Sequence, residues 1–423
     1  MKKLFVFTIV SVVLFDIVLM TSSFKKDEVK SGEDSDELAT TERKHRLEKA
    51  KLGMNEVNRK AETWKAELID QFSLLDDTEL RYFVRMSDQK EAAADDDGNL
   101  PEVPHQFGGS DGYEIRPMPL SAEEPELEYF SQVDSLTYKL VTDSDTESGP
   151  VTCSDYRFDI RKKWPECDKL ISEIRDQSRC LSCYAVAGAA AFTDRFCIAL
   201  AKRGWPTPPA DQDASYFSAA DIMQCGHAGG QDACQGGWSY KVWRFLNEVG
   251  IVSGNGYQQG GCKPYPFPST SHSKNKGGFK YSGECEKRCS NAQHWQDYEF
   301  DKVKTANWHT LGLEMGWEQV IKEEIFHNGT VPVDIIAYGS FVRFYAGGIY
   351  HHVSAPNEIG GGHIVRLIGY GRVNCTDGRS TKYWMGANSW NSAWGEKGFF
   401  RIRRGVNEVG IESRDISFGT IAF

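Results

Sequence analysis

The first 152 residues of this 423-residue chain contain no cysteine; all eleven lie at or after Cys153. That absence excludes a disulfide-knit fold for the N-terminal third and confines covalent cross-links to the remainder. Basic charge is scarce as well. With 49 Lys and Arg against 60 Asp and Glu, the net charge is −11. No face then carries a strong basic field, and nucleic acid is excluded as a partner. Long apolar runs are almost lacking. Leu4–Met20 is the exception: Lys2 and Lys3 precede it, Thr21-Ser22-Ser23 follows, and Asp16 interrupts it. It has the form of a secretory signal over residues 1–23 rather than of an anchor. No other segment predicts a membrane span, so no stable membrane association is expected. Neither an internal repeat nor a set of ligands at zinc spacing occurs, so no metal and no cofactor are expected.

What is present falls into stretches of different character. Residues 24–90 are charged and helical in pattern. Glu42 to Leu68 has few breakers and carries Leu47, Ala50, Leu52, Met54, Val57, Trp64 and Leu68, which reads as a solvent-exposed or partner-binding helix. Residues 91–150 hold fifteen acids against Arg116 and Lys139. That stretch reads as a poorly ordered linker and an easy place for a processing cut. From about Cys153, Trp, Tyr, Gly and Cys become frequent. Cys183 to Leu200 is Ala-rich and predicts a buried helix; Trp238 to Val249 predicts a second, stopped by Gly250. Later segments predict strands at Val331–Ile336, Ile364–Tyr370, Tyr383–Asn388 and Gly398–Arg403. Helices first and strands later suggest an α+β pair of lobes.

An odd cysteine count in an exported chain leaves at least one thiol free, and catalysis is a good reason for one. Cys183 stands where the helix pattern begins, and a helix N-terminus with a nearby imidazolium lowers a thiol's pKa. Alone, Cys180 and Cys183 also fit a redox pair, half of a zinc site, or two structural cysteines. A redox pair needs a βαβ setting, which the sequence does not show; a zinc site needs two more ligands, and none is obvious. Of ten histidines, His363 differs from the rest, including His351 and His352. It follows Gly360-Gly361-Gly362 and opens an apolar strand, and the glycines permit close approach of another chain. Asn388, at the end of the next strand, could accept the imidazole N–H or could be a turn residue.

At these residues the chain resembles the papain-type cysteine proteases. Cys180-Leu181-Ser182-Cys183-Tyr184 fits four of the five positions of that family's C-G-[SA]-C-[WY] motif. Supporting blocks are Cys234-Gln235-Gly236-Gly237, Gly361-Gly362-His363, and Asn388-Ser389-Trp390 through Trp394-Gly395, in family order from about Tyr156 to Ser413. The cathepsin B branch is indicated by Arg175-Asp176-Gln177, Trp164-Pro165, Gly261-Cys262, Pro264-Tyr265 and Val409-Gly410-Ile411-Glu412-Ser413. Asn55, Asn58, Trp64, Lys65 and Ala66 are similar to its short helical pro-segment. The resemblance implies a papain-like two-lobed fold: a helical lobe with Cys183 and a β-barrel-like lobe with His363 and Asn388. It implies a signal at 1–23, a pro-segment with acidic linker at 24–150, and a catalytic domain at 151–423.

In that reading Cys183 attacks a peptide carbonyl, His363 protonates the leaving amine and Asn388 orients the ring. Trp390 shields that hydrogen bond, and Gln177 with the Cys183 N–H forms the oxyanion hole. Gly236 and Gly237 hold the substrate backbone, and Trp394 lines the leaving-group side. The family pattern implies disulfides Cys167–Cys197, Cys180–Cys234, Cys225–Cys285 and Cys262–Cys289. Cys153 and Cys375 are then left over and could bridge each other. The partners implied are peptide or protein substrates, and the chain's own pro-segment as inhibitor, loosened when carboxylates protonate at low pH. The route is secretory, to a lysosome or the cell exterior.

Departures from the family shape the expected specificity. Leu181 replaces a glycine beside the first subsite. Between Cys262 and Cys285 there is no cysteine and a single histidine, His272, so the histidine pair that grips a C-terminal carboxylate in cathepsin B is missing and endopeptidase action is expected. Ile364 and Arg414 at the second subsite predict a shallower pocket that disfavours arginine and favours acidic or small apolar side chains. The rival expectation lets Arg414 swing to solvent or pair with Asp415. Sequons at Asn328 and Asn374 are candidate glycosylation sites. The remaining alternative for the whole chain is a catalytically impaired homologue that binds peptides.

Overall fold

The computed structural model describes residues 29–69, 72–85, 131–136, 151–226, 232–270, 277–281, 284–312, 316–353 and 358–423. The expected signal, most of the acidic linker and His272 lie outside the described residues. The chain divides into two compact units, Met1–Gly53 and Met54–Phe423.

Helix α1 is Val29–Lys60; its residues 29–53 make up the described part of the first unit, and its end belongs to the second. Its exposed surface carries Arg46–Glu42 and Lys51–Glu48 pairs one turn apart, each a weak local support. The helix starts earlier than expected and stops short of Leu68. The reason lies in the second unit: Asn58 Nδ2 donates to the Ala66 carbonyl and its Oδ1 accepts the Ala66 N–H, both at 2.9 Å. That clamp turns the chain back, and Trp64–Ala66 becomes strand β1 instead of helix. A short helix α2, Asp77–Leu80, follows, with Asp76 and Glu79 forming a reciprocal capping box.

The body of the second unit is built around helix α3, Cys183–Lys202. It is long and apolar enough to cross a membrane, but it is a core helix, mostly buried. It packs against helix α4, Ser239–Glu248, and against the long strand β7. Helix α5, Glu318–His327, packs on the same strand.

The strands are β2 Ser131–Leu136, β3 Cys153–Asp159, β4 His309–Leu311, β5 Val331–Tyr338, β6 Tyr345–Tyr350, β7 Gly360–Cys375, β8 Ser380–Ala387, β9 Phe399–Arg403 and β10 Ile416–Phe418. They form one sheet ordered β1-β6-β9-β8-β7-β5-β10-β4, with β3 also on β7 and β2 on β3. All pairs are antiparallel except β6–β9. Strand β7 runs 16 residues, longer than expected, because one edge serves two partners in succession: β5 along residues 360–367 and β3 along 369–375. Strand β2 is a correction to the linker expectation, since part of the acidic stretch pairs with the body. Helices and a mixed sheet together give the α+β class. Five disulfides are present: Cys153–Cys375, Cys167–Cys197, Cys180–Cys234, Cys225–Cys285 and Cys262–Cys289.

Candidate active site

Cys183 is the one cysteine left unpaired, and it is the first residue of α3. Ser182 in the cap position makes no side-chain cap, and the Cys183 and Tyr184 N–H groups of the first turn serve the sulfur. The thiol is buried. Burial pushes it up to about 11, against the hydrogen bonds that the backbone N–H groups of Ile364, Tyr184 and Cys183 offer; the nearby Asp334 carboxylate adds to the rise. The Ile364 contact places the sulfur at the residue adjoining His363.

His363 lies on β7, nearly fully buried. Its Nε2 is 2.8 Å from Asn388 Oδ1. That oxygen also accepts the Ser389 backbone N–H at 2.8 Å, which fixes it as an acceptor. Nε2 therefore carries the proton and donates, and Nδ1 holds a free lone pair. Nδ1 is buried and has no hydrogen-bond partner. Trp390 stacks on the ring at 4.5 Å and seals the His–Asn bond from water. Burial, opposed by the Asn388 bond, holds His363 down to about 4. In this closed state thiol and imidazole are both neutral.

Gln177 is fully buried. Its Oε1 accepts from Ser389 Oγ at 2.6 Å, and its Nε2 donates to the Cys180 carbonyl at 3.0 Å and to the Phe83 carbonyl at 3.4 Å. Ser389 thus aims the Gln177 amide from the strand side, and Tyr265 donates to the Gln177 carbonyl at 2.7 Å from the helical side. Asp176 beside it accepts from Ser269, Thr270, Asn391 and the Ser178 N–H, tying the 269–270 loop to the same wall. Sequence reasoning gave no role to Ser389, Tyr265, Asp176 or Asp334. Their adjacency to Gln177, Asn388 and His363 arises from pairing across the fold; Asp176, Tyr265 and Ser389 carried a hint by standing within motif blocks, and Asp334 carried none.

Residues 63–69 and 72–85 lie across this site. Arg85 and Gly362 exchange two backbone hydrogen bonds, 2.9 and 2.8 Å. A Cβ on Gly361 would stand 2.6 Å from the Arg85 carbonyl, which explains glycine at that position of the run before His363. The Arg85 stem rests on Gly236, whose φ of 96° suits glycine, and its guanidinium lies 5.9 Å over Trp238. Gly237 packs against the Tyr184 ring. Phe83 and Phe72, both fully buried, close on Trp390 at 6.3 and 6.0 Å. Arg343 pairs with Asp77 at 2.5 Å and donates to the Leu75 carbonyl.

The remaining expected residues lie around this centre. Leu181 is half-buried and donates its N–H to the Cys234 carbonyl. Ile364 is buried in the core with Cys183. Trp394 is fully buried, edge-on to Trp390 at 5.1 Å, with its indole N–H on the Val342 carbonyl. Arg414 is neither free in solvent nor paired with Asp415: its Nε donates to Asp334 Oδ2 at 2.7 Å. Among the described residues no group of His, Cys, Asp and Glu could hold a metal.

Comparison with known proteins decides the family. The profile of papain family cysteine proteases matches residues 155–418. The chain belongs to the papain family of cysteine proteases. Within it the chain falls in the cathepsin B-like branch. It is 39% identical over 264 residues to cathepsin B-like cysteine proteinase 6 of Caenorhabditis elegans, covering 60% of this chain and 64% of that one. The chain thus spans just under two thirds of that relative. It is 38% identical over 273 residues to a cathepsin B-like cysteine proteinase of Schistosoma japonicum, covering 63% and 72%. Among solved structures, proCathepsin B S9 from Trypanosoma congolense shares the fold, with TM-score 0.56, 23% identity, and 88% and 98% of the two chains covered. The recombinant stem bromelain precursor aligns with TM-score 0.53 and 17% identity, over 96% and 99%.

Proposed function

We propose that the chain is a cathepsin B-like cysteine endopeptidase made as a secreted zymogen: signal at 1–23, pro-segment with acidic linker at 24–150, catalytic domain at 151–423. The observation that carries this reading is a free thiol at a helix start, held by the Ile364 N–H, which is next in the chain to an imidazole whose Nδ1 lone pair is buried and unpartnered. That unpartnered nitrogen is the one left free to take a proton once Asn388 has engaged Nε2.

In the mechanism, His363 Nδ1 takes the Cys183 proton and gives an imidazolium–thiolate pair. The sulfur attacks the scissile carbonyl, and its oxygen becomes an oxyanion held by the Gln177 amide and the Cys183 N–H. The tetrahedral species collapses: the C–N bond breaks, and the imidazolium passes its proton to the leaving amine. Water, deprotonated by His363, then attacks the thioester, releases the acid and restores the thiol. Asn388 holds the ring in the one tautomer that serves both steps. In the closed state the Phe83 carbonyl accepts from Gln177 and Arg85 holds Gly362, which supports residues 72–85 as an inhibitory part of the pro-segment. Peptide or protein substrates, and a lysosomal or extracellular destination, follow from the same reading.

The test is covalent labelling. The zymogen, processed at acid pH, is treated with an epoxide that alkylates cysteine-protease nucleophiles, beside a Cys183→Ala control and a peptide-cleavage assay. An adduct on Cys183, with cleavage abolished in the variant, is expected. A folded, processed sample that takes no adduct and cleaves nothing would instead make the chain a peptide-binding homologue.

A further inference from the structure

One buried hydroxyl joins the two segments that carry the oxyanion donors. Tyr265 lies on the loop after Cys262, its ring edge-on to Phe267 at 5.7 Å, and it is buried, as are Gln177 and Ser182. Its hydroxyl is 2.7 Å from the Gln177 backbone carbonyl and 2.7 Å from Ser182 Oγ. A carbonyl only accepts, so the Tyr265 proton is spent on Gln177, and Ser182 donates to the Tyr265 oxygen. Burial pushes the Tyr265 hydroxyl up and keeps that proton in place. The bonds run in one direction, from Ser182 to Tyr265 to Gln177, and each polarises the next. The same chain explains why Ser182, at the cap position of α3, caps no backbone N–H with its side chain. The Gln177 backbone thus has two holds. Its N–H donates to the Ser389 carbonyl at 2.8 Å, which fixes it against the strands. Its carbonyl accepts from Tyr265, which fixes it against the start of α3, where the Cys183 N–H sits.

We propose that Tyr265 is a positioning residue for the oxyanion hole, whose hydroxyl sets the spacing between the Gln177 amide and the Cys183 N–H by tying the Gln177 carbonyl to Ser182. The inference rests on the peptidase reading above and adds to it a residue that touches neither substrate nor the reacting atoms. Two donors serve a developing oxyanion together only where their spacing is set in advance. The substrate carbonyl in the ground state carries little charge and gains little from them. Loss of the Tyr265 hydroxyl therefore falls on kcat and leaves KM nearly untouched.

The experiment compares the processed wild type with Tyr265→Phe, which keeps the ring and removes the hydroxyl, and with Ser182→Ala, which removes the other end of the chain of bonds. Each is read three ways: by steady-state peptide hydrolysis, by the inhibition constant of a peptide aldehyde, and by the rate of Cys183 alkylation with iodoacetamide. The aldehyde takes the Cys183 S–H across its C=O bond and leaves an oxygen in the hole. Iodoacetamide loses iodide to the sulfur and develops no oxyanion. Tyr265→Phe should lower kcat about tenfold with KM within about twofold, weaken the aldehyde by a similar factor, and leave alkylation within about twofold. Ser182→Ala should show the same pattern with a smaller loss, and it decides the matter alone if Tyr265→Phe does not fold. An unchanged kcat, or alkylation that falls in step with kcat, overturns the positioning role while the active wild type keeps the peptidase reading intact. A processed wild type that hydrolyses nothing overturns both.

Discussion

Removing a proton acceptor from water has a consequence that can be followed by pH. With residues 63–69 and 72–85 across the site, His363 is held at about 4 by burial, against about 6.5 for an ordinary imidazole. A depressed base is neutral in the closed form and protonates more readily in the open one. The contribution of this group therefore favours closure above pH 6.5 and is lost progressively as pH falls toward 4. The gap of about 2.5 units corresponds to about 3 kcal/mol, a factor of a few hundred in the opening equilibrium. Closed, the Cys183 thiol titrates near 11, so at pH 7 about one molecule in ten thousand carries the thiolate. Open, the imidazolium beside it keeps the thiolate populated in acid. The perturbation is thus simple acidification of the intact precursor from pH 7 to pH 4.5, with rapid iodoacetamide quenching and mass measurement of the uncleaved chain. Alkylation of Cys183 should rise by about two orders of magnitude, whereas an ordinary thiol loses reactivity on acidification. A rate that falls steadily with pH, parallel to a free thiol, would refute the coupling between His363 burial and closure.

Three further outcomes follow from the geometry. Asn388→Ala frees the His363 ring, and kcat of the processed enzyme should fall about a hundredfold with KM little changed, measured by steady-state hydrolysis. Phe83→Ala empties the aromatic contact with Phe72 and Trp390; loss of about 3 kcal/mol of packing should move the midpoint pH of self-processing upward, followed by gel. Replacing Cys153 and Cys375 together by Ser opens a link 222 residues apart and should lower unfolding stability by about 2–5 kcal/mol in a denaturant titration, with little effect on kcat.

Legibility in the sequence tracked locality. The Ala-rich run after Cys183 announced a helix because its burial is written into consecutive residues. His363 stood out through its three preceding glycines, read as room for a close approach; that the approaching residue is Arg85, against Gly361 and some 280 residues away, could not be read. The end of α1 was misjudged because Asn58 acts on Ala66 through side-chain hydrogen bonds that leave no periodic trace. Asp334 hides in a strand otherwise apolar on both faces, and nothing in the order of residues says that Arg414 crosses to it. The Ser389–Gln177 bond likewise joins segments that meet only because β8 ends beside the loop before α3.

The Cys153–Cys375 bridge ties the first strand of the body to the far end of β7, immediately after the acidic stretch. Wherever a protease trims the chain ahead of Cys153, the new amino terminus stays stitched to the sheet's longest strand. Trimming anywhere between β2 and Cys153 then leaves the end held by the same bridge, and an exopeptidase nibbling from that end meets a covalent stop at Cys153.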